Sequence, residues 1–176
     1  MLSLFKKNSK TKIQRGRRGF TLIELLVVIS IIGFLSTLAV VALKNSRMKA
    51  RDARRMAELK QIRTALNLYF DSNPSGYPAR TRSCSAACTA ADLGTALGCS
   101  VANWTTLTTD LDPYIKLPDD PMNTRPYCYG YDSEGEDLFG LFANMEANTA
   151  AESSDGGSYD GLYEVGPEIS TVGWWN

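Results

Sequence analysis

Glu24 is the residue whose placement most demands a chemical partner. It is the only charged residue in a run of 24, residues 20–43. As a helix rising 1.5 Å per residue the run spans about 36 Å, enough to cross a hydrocarbon core. A carboxylate inside such a segment is costly and calls for a counter-charge. It stands one helical turn after the junction Gly19-Phe20, which ends a leader holding seven Lys/Arg and no acid. Two further sets carry chemistry: the cysteines Cys84, Cys88, Cys99 and Cys128, and the acidic glycine-rich loop at 155–160 with Asp155 and Asp160. The loop's oxygen donors have a spacing a calcium ion could use, but they form no full ligand set, and a solvated loop is the plainer reading. The chain has no histidine. A zinc site would therefore be all-cysteine, and Cys84-x3-Cys88 has no matching second knuckle. With no nucleophile motif either, the usual acid–base and covalent arrangements are missing, and the reading is of a non-enzyme that needs no cofactor.

The cysteines read as disulfides of an exported domain. Four allow three pairings, which sequence cannot separate. The preferred one is Cys84–Cys88 closing a short loop, with Cys99–Cys128 tying that region to the first strand.

A net charge of zero conceals segregation. Residues 1–19 carry +7, 20–43 carry −1, 44–72 carry +5 and 73–176 carry −11. The positive-inside rule favours a cytoplasmic leader, but the segment past the apolar run is also basic, so charge alone leaves orientation open. The cysteines, all in 73–176, place that part in an oxidising compartment.

Four segments follow: a basic leader at 1–19, a membrane-compatible half-helix at 20–43, an amphipathic half-helix at 44–72 and an exported domain at 73–176. Neither proline nor glycine interrupts 44–71, and Met56, Leu59, Ile62, Leu66 and Tyr69 recur at spacings of three and four. Arg47, Arg51, Arg54 and Arg55 form a basic strip on another arc. The cluster Asn73-Pro74-Ser75-Gly76 should stop the helix. Residues 81–112, rich in Ser, Thr and Ala, read as a long loop. Strands are expected at 127–132, 138–145 and 162–165, with Tyr127, Tyr129 and Tyr131 on one face of the first. Phe139, Leu141, Ala143 and Met145 should line one face of the second. The expected fold class is α+β: a long N-terminal helix, its first half transmembrane, packed against a small antiparallel sheet. Trp174-Trp175 would pack on that sheet.

The basic leader, Gly19, Phe20, Glu24 and the apolar run together resemble the processing site of type IV prepilins and the related pseudopilins of type II secretion. The resemblance covers the leader and Gly19 through Tyr69. It implies cleavage after Gly19 by a prepilin peptidase, methylation of the new amine at Phe20, and a role for Glu24 in assembly. The implied partners are the chain itself, in a homopolymer or mixed filament, and an inner-membrane assembly platform. The implied fold is the pilin roll, and the implied location is the inner membrane before assembly and an extracellular or periplasmic filament after it. The family often has a proline near the end of the apolar run. Here that stretch is Leu38-Ala39-Val40-Val41-Ala42, and Gly33 is the only weak point. Some pseudopilins bind calcium just before the last strand, which is where Asp155 and Asp160 fall.

The physical case for Glu24 runs parallel. Removing 1–19 would create a cationic amine at Phe20, and a carboxylate one turn along a neighbouring helix would pair with it and fix the register. A secretory signal peptide ending near Val40-Val41-Ala42 fits less well, because the apolar run is too long and carries an acid. A plain anchor explains the length but neither Gly19-Phe20 nor Glu24. Some family members take part in DNA uptake, and the basic strip would be the footprint for nucleic acid. The acidic domain opposes it. Sequence leaves open pilus against secretion pseudopilus, and major against minor subunit.

Overall fold

A computed structural model describes residues 19–85, 88, 99–135, 137–156 and 161–167. The chain divides into two compact units, 1–41 and 42–176. Helix α1, Leu22–Ser72, contributes residues to both. In the first unit its apolar side chains lie exposed all round, from Leu22 through Val41. An 18-residue window of this helix has mean hydropathy 2.7 and is not buried at all. A helix that is apolar on every face needs an apolar surrounding.

In the second unit the amphipathic pattern of α1 finds its cover. Leu59, Ile62 and Leu66 are fully buried. α1 stops at the expected breaker, where Gly76 takes φ of +84°, a left-handed conformation that favours glycine. The sheet is a four-stranded antiparallel meander in sequence order: β1 (Arg80–Cys84), β2 (Tyr129–Gly135), β3 (Leu138–Ala143) and β4 (Tyr163–Val165). Helix α2, Val101–Leu111, lies between β1 and β2 in sequence, and the short α3, Thr149–Glu152, precedes β4. One core joins Leu59, Ile62 and Leu66 to Trp104, Leu107 and Leu111 of α2 and to Tyr129, Tyr131, Phe139 and Leu141 of the sheet. Ala143 and Met145 complete the expected face. A second, smaller cluster holds Cys84, Cys88, Cys128, Phe142 and Leu162. The pleat therefore separates Tyr129 and Tyr131 from Cys128, and Leu141 from Phe142, as period-two alternation requires.

The α+β class and the helix-on-sheet arrangement agree with the sequence reading, but residues 81–112 do not form one long loop. They contain most of β1 and all of α2. β1, Arg-Thr-Arg-Ser-Cys, has no apolar alternation; it is a strand because β2 supplies its partners, with Ser83 opposite Tyr131 and Cys84 opposite Gly130. The sheet thus has four strands rather than three. α2 is capped by Ser100, whose hydroxyl accepts from the Asn103 N–H at 3.3 Å. Its threonines mask the helical spacing of Trp104, Leu107 and Leu111, and Thr105, Thr106, Thr108 and Thr109 each return a hydroxyl bond to the carbonyl four residues back.

Candidate functional site

The start of α1 is built by four residues, Thr21 to Glu24. Thr21 precedes the first helical residue and its hydroxyl accepts from the Glu24 N–H at 3.3 Å. Glu24 returns the bond: one carboxylate oxygen accepts the Thr21 N–H at 2.8 Å and the Thr21 hydroxyl at 2.7 Å. This is a capping box, two orphan donors of a helix start satisfied reciprocally, and the carboxylate also suits the positive end of the helix dipole. The spacing Thr-x-x-Glu is the sequence signature of such a box. Glu24 therefore already has a partner within its own chain.

Phe20 is 86% exposed, and a side chain added at Gly19 would meet nothing within 4 Å. Among the described residues nothing requires glycine there.

The basic strip is the largest correction. Arg55 is fully buried, and its guanidinium spans three carboxylates: Asp120 at 2.6 Å, Asp52 at 2.8 Å and Glu146 at 2.8 Å. Arg51 donates from Nε at 2.7 Å to the same Glu146 oxygen that Arg55 uses and from Nη2 to the other oxygen, and Arg54 pairs with Glu58 at 2.6 Å. Glu58 also accepts the hydroxyl of buried Tyr129. Asp52 does more than pair: it accepts the backbone N–H groups of Glu146, Ala147 and Asn148 at 2.9, 2.8 and 3.0 Å. Asp120 accepts likewise from Met122 and Asn123 at 2.8 and 3.2 Å. Burial works against the Arg55 charge, but Asp120 and Glu146 outweigh it and keep the guanidinium ionised. The Arg51 hydrogen bond, helped by Arg55, holds the Glu146 carboxyl below its ordinary value of 4.5 despite burial. Arg51 and Arg55 lock α1 to two loops of its own domain, while Arg54 pairs within α1. They do not form a strip free for nucleic acid or for another subunit.

The four cysteines form two disulfides, but not in the preferred pairing. Cys84 joins Cys99 across Cα atoms 5.8 Å apart, and Cys88 joins Cys128 across 6.1 Å. The cause is β1: Ser83 bridges Ser100, and the Cys84 N–H donates to the Ser100 carbonyl at 3.3 Å, which sets Cys99 beside Cys84. With β1 read as loop, that neighbour could not be foreseen.

Asp155 accepts the Glu164 N–H and borders a groove of about 340 Å³ with Lys60, Arg63, Met56 and Tyr163. Its companion in the calcium reading, Asp160, lies outside the described residues, as do Trp174-Trp175 and the leader up to residue 18. Among the described residues no group of three or more His, Cys, Asp or Glu could hold a metal ion.

An exposed apolar half-helix opening on a carboxylate, followed by a half-helix clamped under a small sheet, defines a helix-anchored subunit. The comparisons agree with that class. The prokaryotic N-terminal methylation motif matches residues 14–40. The type II secretion system core protein G of Dickeya chrysanthemi is 36% identical over 66 residues, 38% of this chain and 42% of that protein. The type IV major fimbrial protein FimA of Dichelobacter nodosus is 42% identical over 50 residues, 28% of this chain and 32% of that protein. The core protein G of Pectobacterium carotovorum subsp. carotovorum is 35% identical over 68 residues, 38% and 44% of the two chains. The chain spans less than half the length of these relatives. No solved structure matches it. Motif and relatives together support a prepilin or pseudopilin family for this chain.

Proposed function

We propose that this protein is a structural subunit of a type IV pilus-like filament. In this reading it is made as a membrane-anchored precursor, cut after Gly19 by a prepilin peptidase, methylated at the Phe20 amine and polymerised through α1. The residues 20–43 anchor it once across the inner membrane, the domain from residue 73 is exported, and an assembly platform adds it to the filament. The observation that carries the reading is Glu24. It is the only charge in an apolar half-helix whose large side chains are all exposed, one turn from the Gly19-Phe20 junction.

The geometry supports a stepwise use of that carboxylate. Before assembly one carboxylate oxygen of Glu24 is held by Thr21. The Phe20 amine created by cleavage lies next to Thr21 in sequence and is cationic. A neighbour's amine offers Glu24 a charge-assisted bond in place of a neutral one, and the exchange favours the stagger at which amine and carboxylate meet. Apolar packing along 25–43 would hold the bundle while Glu24 sets its register. The role is structural, and no catalysis is proposed.

A secretion pseudopilus is the second reading. The matches to the core protein G and to the fimbrial protein support both readings alike. A DNA-uptake filament is disfavoured, because Arg51, Arg54 and Arg55 are committed within the chain. Mass spectrometry of the N-terminus in assembled material tests the proposal. A methylated Phe20 is expected, and Gly19→Val should leave the precursor uncut. An intact leader in filaments, or a cut after Ala42, would overturn it.

A further inference from the structure

The ion pairs that spend the arginines of α1 also mark which of its cations are left over. Arg51 is taken by Glu146, Arg54 by Glu58, and Arg55 by Asp52, Asp120 and Glu146. Upstream of them stand Lys44, Arg47 and Lys49, all exposed, and none is in an ion pair among the described residues. They fall within six residues of the end of the apolar run at Leu43, with no acid between Leu43 and Asp52.

Their arrangement around the helix narrows the partner. Successive helical residues turn by about 100°, so Lys44 and Arg47 lie about 60° apart, and Lys49 stands roughly 140–160° from either. Three cations on opposite sides of one helix are poorly met by one protein surface, which would engage one side and leave the other in solvent. They are well met by a medium that surrounds the helix at a fixed depth. We infer that Lys44, Arg47 and Lys49 form a collar that takes the anionic phosphate headgroups of a lipid bilayer. This rests on the membrane-anchored reading above and adds to it a lipid preference and a fixed depth. Lysine and arginine are suited to the place, because their aliphatic stems lie along the apolar boundary while the charges reach the phosphates. The collar ends two residues before Arg51, where the ion pair with Glu146 begins. Extraction of the subunit into a filament then includes release of these lipids.

The full chain in lipid nanodiscs tests this. Two trace probes carry a photoreactive group beside the phosphate, one on phosphatidylglycerol and one on phosphatidylcholine. A third carries it on an acyl chain. Phosphatidylglycerol adducts should dominate on residues 44–50, and acyl adducts should mark 22–43. The phosphatidylglycerol preference should fall by up to about fivefold for each of Lys44→Gln, Arg47→Gln and Lys49→Gln. It should reach parity in the triple variant, and in roughly 1 M salt, where the screening length is only about 3 Å. Parity in the wild-type chain, with acyl adducts still on 22–43, overturns the collar and leaves the anchor standing. No acyl adducts on 22–43 overturns both. A protein–protein cross-linker added to the same nanodiscs that joins 44–50 to another copy's domain, whatever the lipid charge, overturns the collar in favour of a second copy.

Discussion

At the scale of the residue, Glu24 has two offers and the site turns on their difference. Within the chain it accepts two bonds from Thr21 and caps its own helix. In the filament it would accept an ammonium. Glu24→Gln keeps size and polarity and can still accept from Thr21, but cannot form the charged pair. It should insert and be cleaved as the wild type, yet assemble poorly, measured as filament yield. Thr21→Val separates the two offers further, since it removes the hydroxyl and keeps the backbone donor. It should loosen the helix start without abolishing assembly, seen as faster amide exchange at residues 22–25. Wild-type yield and spacing from Glu24→Leu would refute the register role. Glu24 was legible from sequence because it is the lone charge in an apolar run, while its capping role with Thr21 is local. Arg55 was not, because its partners Asp120 and Glu146 lie 65 and 91 residues away and its neighbours in sequence are also basic.

At the scale of the element, the clamp explains how α1 changes from apolar on all faces to one face buried. Between Arg51 and Glu58 the helix is tied by charge, and from Leu59 onward by apolar packing. Arg55→Met fits the space but strands three carboxylates, and removing one partner of a buried pair costs about 3–5 kcal/mol. Its melting temperature should drop accordingly, with Lys no better than Met, because a point charge cannot span Asp52, Asp120 and Glu146. The same cluster sets an acid limit. Glu146 is held below 4.5 when folded, so its contribution is complete above the unfolded value and is lost as pH falls through the lower folded one. Glu152 runs the other way: burial raises its pKa, so protonation favours the fold as pH descends toward 4.5. Thermal stability against pH should therefore rise gently on mild acidification and fall below it. Glu146→Gln should flatten the fall, and Glu152→Gln should remove the rise. The helix, its stop and strands β2 to β4 were legible because their periodicity is apolar. β1 and α2 were not: one is a strand by pairing alone, the other a helix hidden by threonine.

At the scale of the whole molecule, the disulfides join what the chain order separates. Cys84–Cys99 closes a segment of 15 residues from β1 to the start of α2, and Cys88–Cys128 spans 40 residues to the edge of β2. The sequence showed four cysteines in an exportable domain but not this pairing, since the strand that aligns Cys84 with Cys99 was itself unreadable. Both staples lie with Phe142 and Leu162 on the sheet face away from α1, which has a small core of its own. Peptide mapping without reduction should recover Cys84–Cys99 and Cys88–Cys128. The pair Cys84–Cys88 with Cys99–Cys128 would contradict the β1 alignment. Longer closed loops constrain the unfolded chain more, so Cys88→Ser with Cys128→Ser should cost more than Cys84→Ser with Cys99→Ser, each within about 2–5 kcal/mol. The losses should appear in domain unfolding and leave membrane insertion of 22–43 untouched, because no cysteine lies in that run. Domain unfolding by near-ultraviolet dichroism, followed alongside insertion by acyl-probe labelling, would separate the two units. A variant that loses both together would mean that the sheet domain, and not the apolar run, decides whether the anchor holds.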